Sequence, residues 1–222
     1  MSASKPAFFA TDRRMQNKDL NTEFLEQTPG IYRLTVPFES VYTSVFLITT
    51  PNAAFLVDCA TTAYDVDTYI VPALEKIGFS LTSITALVLT HRHDDHAGGC
   101  ERILQYAPNI DVVTEVRSLA DGVSTYPMAG HTEDCIGVLD ERCHTLISGD
   151  GLQGAGVDVY RCSLRDKNAY AQTLERIKND KRIENILFSH AYEPWNQDCL
   201  HGRDAVEACL IECKKYINGE IK

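Results

Sequence analysis

The segment His91-Arg92-His93-Asp94-Asp95-His96 brings three imidazoles and two carboxylates together directly after the apolar run Ile84 to Thr90. Neutral imidazole nitrogens and carboxylate oxygens are the ligands that borderline divalent metals such as zinc take. Side chains alternate with period two along an extended or looped backbone, so His91 and His93 can point the same way. Asp95 and His96 follow at a turn and can face a second position, and one segment can therefore feed two metals. Only 7 histidines occur in 222 residues, so composition does not explain this clustering.

A few ligands on one loop cannot close two coordination shells, and further candidates are expected at the ends of other strands, where rigid scaffolds present chemistry. His131 lies in Gly130-His131-Thr132, and Gly130 permits the close backbone approach that a buried loop ligand needs. Asp150 lies in Ser148-Gly149-Asp150-Gly151; taken alone, such a sequence is a turn. His190 follows Phe188-Ser189, and Asp58 closes the run Phe55-Leu56-Val57. His144 alternates with strand residues and His201 lies in a polar loop before the last helix; neither has a companion ligand nearby, and both read as structural histidines.

The elements that must hold these residues are visible as changes of hydrophobic period. Gly30–Val36, Val41–Thr49 and Ala53–Asp58 are rich in β-branched and aromatic residues and bounded by Pro and Gly, which predicts an antiparallel meander. Ala63–Ile77 carries a helical stripe, within which Pro72 either bends the helix or marks its start. Ile84–Leu89 reads as a strand buried on both faces, followed by a helix from Gly98-Gly99 to Tyr106 and a strand at Ile110–Thr114. Cys135–Leu139 and Cys143–Ser148 form a predicted hairpin. Asn168–Ile177 is an amphipathic helix, Ile183–Phe188 a buried strand, and Arg203–Ile217 the last helix. Residues 1–18 read as a loose arm and 19–222 as one domain. Ser118 to Tyr126 and Tyr192 to Trp195 are expected at the rim of an open pocket, with Trp195 packed.

A net charge of -10 opposes binding of a polyanion, so nucleic acid is not the expected partner. No apolar run is long enough to span a bilayer and the first residues do not resemble a signal peptide, which points to the cytoplasm and away from a membrane. The 8 cysteines include no CxxC pair and read as free thiols; Cys209 and Cys213 are core-facing on one helix, and Cys59 and Cys100 are candidates for a role near the site. No Gly-x-Ser-x-Gly elbow supports a serine hydrolase.

The order HxHxDH, Gly-His-Thr, Gly-Asp and strand-end His, with Asp58 closing an earlier strand, resembles the metallo-β-lactamase-fold hydrolase superfamily over residues 30 to 195. The resemblance implies an α/β, four-layer αβ/βα sandwich of two mixed sheets flanked by helices. It also implies that His91, His93 and His131 hold one metal, that Asp95, His96 and His190 hold the other, and that Asp150 bridges them. Asp58 would orient the ligand loop from outside. Two divalent ions are implied, with zinc expected and iron or manganese as alternatives. Held about 3.5–4 Å apart, they would present a hydroxide to the carbonyl of a small ester, thioester or lactone, with Asp95 passing a proton to the leaving group.

The Gly149-Asp150-Gly151-Leu152 context and the helix after it are similar to glyoxalase II-like and lactonase-like branches. Lactonases usually carry a Tyr shortly after the bridging Asp. Leu152 and Gln153 stand there in this chain, with Tyr160 as a substitute, and only one helix follows His190 where glyoxalase II has a helical domain. The rival implied by the same fold is a mononuclear iron oxidoreductase similar to persulfide dioxygenases.

Overall fold

A computed structural model describes residues 23–38, 41–154, 164–192 and 194–220. The arm at 1–18 and Tyr160 lie outside the described residues. The strands are β1 (Leu25–Thr28), β2 (Ile31–Phe38), β3 (Val41–Thr49), β4 (Ala54–Val57), β5 (Ala86–Val88) and β6 (Asp111–Val113), followed by β7 (Ser118–Ala120), β8 (Val123–Pro127), β9 (Ile136–Asp140), β10 (Thr145–Ile147), β11 (Asn185–Leu187) and β12 (Cys199–His201). They build two six-stranded sheets, ordered β1-β2-β3-β4-β5-β6 and β12-β11-β10-β9-β8-β7. Both are mixed: β4–β5, β5–β6 and β10–β11 run parallel and the other pairs antiparallel.

Alternation along the strands builds the layers. In β3, Val45 and Leu47 face the helices of the first half, whereas Phe46 and Ile48 face the second sheet. Ile31, Phe55 and Val57 join Val138, Ile147 and Leu187 in the core between the sheets. Helices α1 (Ala63–Asp65), α2 (Val71–Lys76), α3 (Asp94–Ala97) and α4 (Cys100–Tyr106) belong to the first half. Helices α5 (Lys167–Asn179) and α6 (Arg203–Asn218) cover the second sheet through Tyr170, Leu174, Ile177, Val206 and Leu210. The result is the expected four-layer sandwich of the metallo-β-lactamase fold. No helix among the described residues is long and apolar enough to cross a membrane.

Three local expectations are corrected. Ser118 to Tyr126 does not form the rim of the metal-ligand cluster: β7 and β8 pair as a hairpin at the edge of the second sheet. Its turn hydrogen-bonds to Glu141 in the β9–β10 connection, at the end of the sheet remote from His131 and Asp150. His201 lies in the edge strand β12, not in a polar loop. Both elements are three residues long and rich in polar or half-exposed positions, so they lack an apolar run; pairing with a neighbour creates them. Trp195 does not pack and is 47% exposed.

Of the two readings of Pro72, the structure favours a helix start, since Pro72 is the second residue of α2. A wide turn over Val66–Ile70 joins α1 to α2 and places Pro72 in the first turn of α2, the position in a helix that tolerates a proline.

Candidate metal centre

Asp58, the cluster after Leu89, His131, Asp150 and His190 all lie beyond the C-terminal ends of strands, namely β4, β5, β8, β10 and β11. The sandwich brings these ends to one rim. Within the cluster, His91 and His96 are buried, His93 and Asp95 are intermediate, and Arg92 and Asp94 are exposed. His93 precedes the short helix α3, so Asp95 and His96 leave a helical turn while His91 and His93 leave extended backbone. This change of backbone separates the two groups of ligands.

The first group converges on His93. Its Nδ1 lies 3.0 Å from His91 Nε2 and 2.9 Å from His131 Nε2. In the second group, Asp95 Oδ2 is 3.3 Å from His96 Nε2 and 3.2 Å from His190 Nε2, and those two nitrogens are 3.2 Å apart. Ligands of a tetrahedral zinc with bonds near 2.0–2.1 Å stand roughly 3.3 Å from one another, so this triangle has the dimensions of a coordination face.

Asp150 lies between the groups. Its Oδ2 is 3.6 Å from His131 Nε2 and 4.0 Å from His91 Nε2, while its Oδ1 is 3.5 Å from His96 Nε2 and 3.3 Å from His190 Nε2. Oδ1 is buried yet aligned with no hydrogen-bond donor. An orphaned carboxylate oxygen costs free energy unless a partner meets it, and a cation between the imidazoles is the partner that this geometry suits. The donor set thus fits divalent metal: His91, His93 and His131, then Asp95, His96 and His190, with Asp150 in reach of both.

Hydrogen bonds behind the ligands set their tautomers. His96 Nδ1 is 2.8 Å from Asp58 Oδ2, and His190 Nδ1 donates to the Tyr42 carbonyl at 2.7 Å, which leaves both Nε2 atoms bare toward the centre. Asp58 is fully buried and also receives the Thr90 N–H at 2.7 Å and the Thr90 hydroxyl at 2.9 Å. Thr90 Oγ1 in turn is 3.2 Å from His91 Nδ1. One carboxylate therefore supports a ligand in each group, and the expected role for Asp58 outside the ligand shell has a geometric basis.

The backbone is bent to allow this. Asp58 and Ala60 take the left-handed conformation, at φ 63 and 57, which is uncommon outside glycine. The Cys59 amide and thiol both donate to the His96 carbonyl, at 2.8 and 3.2 Å, so Cys59 serves as a structural donor. A Cβ on Gly99 would sit 2.1 Å from the Cys59 carbonyl oxygen, and only glycine lets α4 approach this bend. Gly130 meets its expectation likewise, with φ at +144 and no room for a Cβ against Tyr170.

Thr90 and the Tyr42 carbonyl are the contributors that residue types do not announce. Thr90 is one more β-branched residue at a strand end, and a backbone carbonyl has no sequence signature. At the rim, Tyr192 donates to Gln153 Oε1 at 3.0 Å and stacks on His190. The His144 ring lies against the Arg182 carbonyl and the His201 ring beside Cys199, so neither belongs to the centre.

Charge in the metal-free centre follows from this packing. Burial drives His91 down to about 2, aided by His96, so it stays neutral. Burial also opposes charge on His96 and His190, but Asp150 outweighs it, holding His96 well above the usual imidazole range and His190 at about 9. Burial raises Asp95 and Asp150, yet the neighbouring histidines hold both carboxyls well below their usual range. At pH 7 the metal-free chain therefore stores protons on His96 and His190.

The stability that the His190 proton contributes is present below pH 6.5, the ordinary histidine value, and is lost as pH rises through about 9; the His96 proton acts in the same direction. Zinc binding at pH 7 is expected to release a proton from each, because a ligating imidazole must be neutral. Calorimetric titration in buffers of different ionisation enthalpy reads that release. A binding heat independent of buffer would contradict it.

Comparison with known proteins agrees with this geometry. A family model described as the metallo-beta-lactamase superfamily matches residues 40–117, the segment carrying Asp58 and the His91–His96 cluster. The chain is 24% identical over 164 residues to a hydroxyacylglutathione hydrolase of Methylobacillus flagellatus, covering 62% of this chain and 65% of that protein. It is 26% identical over 183 residues to a beta-lactamase-like protein 2 homolog of Caenorhabditis elegans, covering 72% of this chain and 58% of that protein. It thus spans less than two thirds of either relative.

Among solved structures, a metallo-beta-lactamase from Erythrobacter litoralis superposes with a TM-score of 0.66 at 20% identity, over 86% of this chain and 96% of that one. FIM-1 from Pseudomonas aeruginosa, in its mono-zinc form, superposes with 0.68 at 18% identity, over 87% and 95%. The segment that resembles the metallo-beta-lactamase superfamily thus falls on the densest part of the ligand cluster, and the chain shares the fold of these metallo-beta-lactamases.

Proposed function

We propose that the protein is a dinuclear metal-dependent hydrolase, with zinc as the first candidate metal, acting on a small ester, thioester or lactone. The observation that carries this reading is the orientation of Asp150, which turns one carboxylate oxygen toward each group of histidines. A residue serving one metal would not need both faces. Two ions so held would lower the pKa of a bound water and polarise a carbonyl oxygen.

The chain's own residues do the rest. His91, His93 and His131 hold one ion, while Asp95, His96 and His190 hold the other; the partners on the remote ring nitrogens of His91, His96 and His190 keep those rings from turning. Asp95 keeps a side chain that is 13% exposed, against full burial for Asp58, and is the carboxylate placed to carry a proton to a leaving group. The name of the Methylobacillus relative denotes an acyl group carried on glutathione, which supports a thioester as the first substrate class to test.

The test is a panel of thioesters, lactones, β-lactams and phosphodiesters on zinc-loaded protein, with metal counted by mass spectrometry. The expected outcome is oxygen-independent turnover of a thioester or lactone with two zinc ions per chain. One iron per chain with oxygen uptake would replace the hydrolase by the dioxygenase reading. Turnover of phosphodiesters alone would refute the substrate class.

A further inference from the structure

We propose that Arg33 is a positioning residue for the half of the centre that contains His190, an inference that rests on the dinuclear reading above. The core between the sheets is apolar, built from residues such as Ile31, Phe46, Phe55, Val138 and Leu187. Arg33 of β2 intrudes on it. It pairs across the sheet with Phe46, lies with its guanidinium 5.3 Å over that ring, and is 4% exposed. A buried guanidinium costs free energy, and replacing such an ion pair by apolar side chains is often neutral or stabilising. Its placement is therefore better explained by geometry than by stability.

That geometry leads to His190. Strand β11 ends at Leu187, paired with Cys199 of β12, so regular pairing stops three residues short of the ligand. The segment Phe188-Ser189-His190 is held instead by three separate hydrogen bonds. Ser44 N–H donates to the Ser189 carbonyl at 2.9 Å, His190 Nδ1 to the Tyr42 carbonyl at 2.7 Å, and Phe188 N–H to the Asp198 carbonyl at 3.0 Å. The first two come from β3. The third depends on Asp198, and Arg33 fixes Asp198 twice, through an ion pair to its carboxylate and through Nη2 to the same carbonyl at 2.7 Å. Arg33 thus ties the strand-end segment of the second sheet to the first sheet, and the register of that tie sets where His190 points.

The test compares wild type, Arg33→Met and Asp198→Asn in full-length protein, by amide hydrogen exchange without metal and by zinc titration. Arg33→Met is expected to lower the unfolding temperature only modestly, because the carboxylate it leaves unpaired, on Asp198, is 41% exposed. Exchange protection at Phe188 and Ser44 should fall at least about tenfold while the amides of β4 and β5 keep theirs. One zinc equivalent should weaken by about 10–100-fold, the range for lost support behind a ligand, and the other should not. Unchanged protection at Phe188 and Ser44, or equal weakening of both zinc equivalents, overturns the proposal. A wild type that takes one zinc refutes the dinuclear reading, and the exchange result still decides on Arg33. If Arg33→Met does not fold, Asp198→Asn decides by the same readouts, since it removes the carboxylate and keeps the carbonyl.

Discussion

Asp150→Asn is expected to weaken both metals together, by at least about 100-fold each, and to abolish hydrolysis at ordinary metal concentrations. Loss of a partner behind a ligand already costs about 10–100-fold, and in the proposed dinuclear site Asp150 would itself be a ligand to both ions. The amide is nearly the same size but cannot present two anionic oxygens. Whichever way it turns, an NH2 group faces either His91 and His131 or His96 and His190, where the native carboxylate offers an acceptor. The charge matters as well. Asp150 is 8% exposed, and its carboxyl stays ionised because His190 and His96 outweigh the effect of burial. Metal counting and zinc competition with a chelator read the effect, with circular dichroism to confirm the fold. Two ions retained per chain at wild-type affinity would refute the shared position.

Asp58→Ala is expected to act differently, weakening the ion held by His96 more than the one held by His91. The direct contact is to His96 Nδ1, whereas His91 is reached only through Thr90. About 10–100-fold is expected at the His96 side. A stability loss of about 1–3 kcal/mol accompanies it, because the Thr90 N–H is left buried without its acceptor. Zinc titration separates the two steps and thermal unfolding reads the stability. Equal weakening of both steps would show that Asp58 supports the loop as a whole and does not favour one ring. The same outcome in Asp58→Asn, which keeps an acceptor for the Thr90 N–H, would place the effect in the carboxylate's charge.

The parts of the site legible in the sequence are those whose chemistry is local. His91, His93, Asp95 and His96 share one short segment, and period-two spacing followed by a turn already divides them into two directions. The structure draws that division as extended backbone up to His93 and helix from Asp94. His190 was legible through its context, a histidine just past an apolar strand, and His131 through Gly130 beside it, ahead of a predicted hairpin. Long strands were legible for the same reason. Val41–Thr49 is both predicted and found with the same ends, since nine residues of mostly β-branched and apolar side chains leave little choice. The edge strands Ser118–Ala120 and Cys199–His201 were not, because three residues carry no periodicity and their ladders depend on what lies beside them.

By itself, then, the order of residues determined which side chains could bind metal, and that strand ends would present them. Tertiary structure alone decided how they are used. A Gly-Asp-Gly turn becomes a shared carboxylate only when the second sheet brings Asp150 between histidines from β5, β8 and β11. Thr90 and the Tyr42 carbonyl become ring-orienting partners only when distant segments meet them. The physical reason is that ligand chemistry resides in a side chain, whereas bridging and orientation are relations between backbones, fixed by packing two sheets face to face.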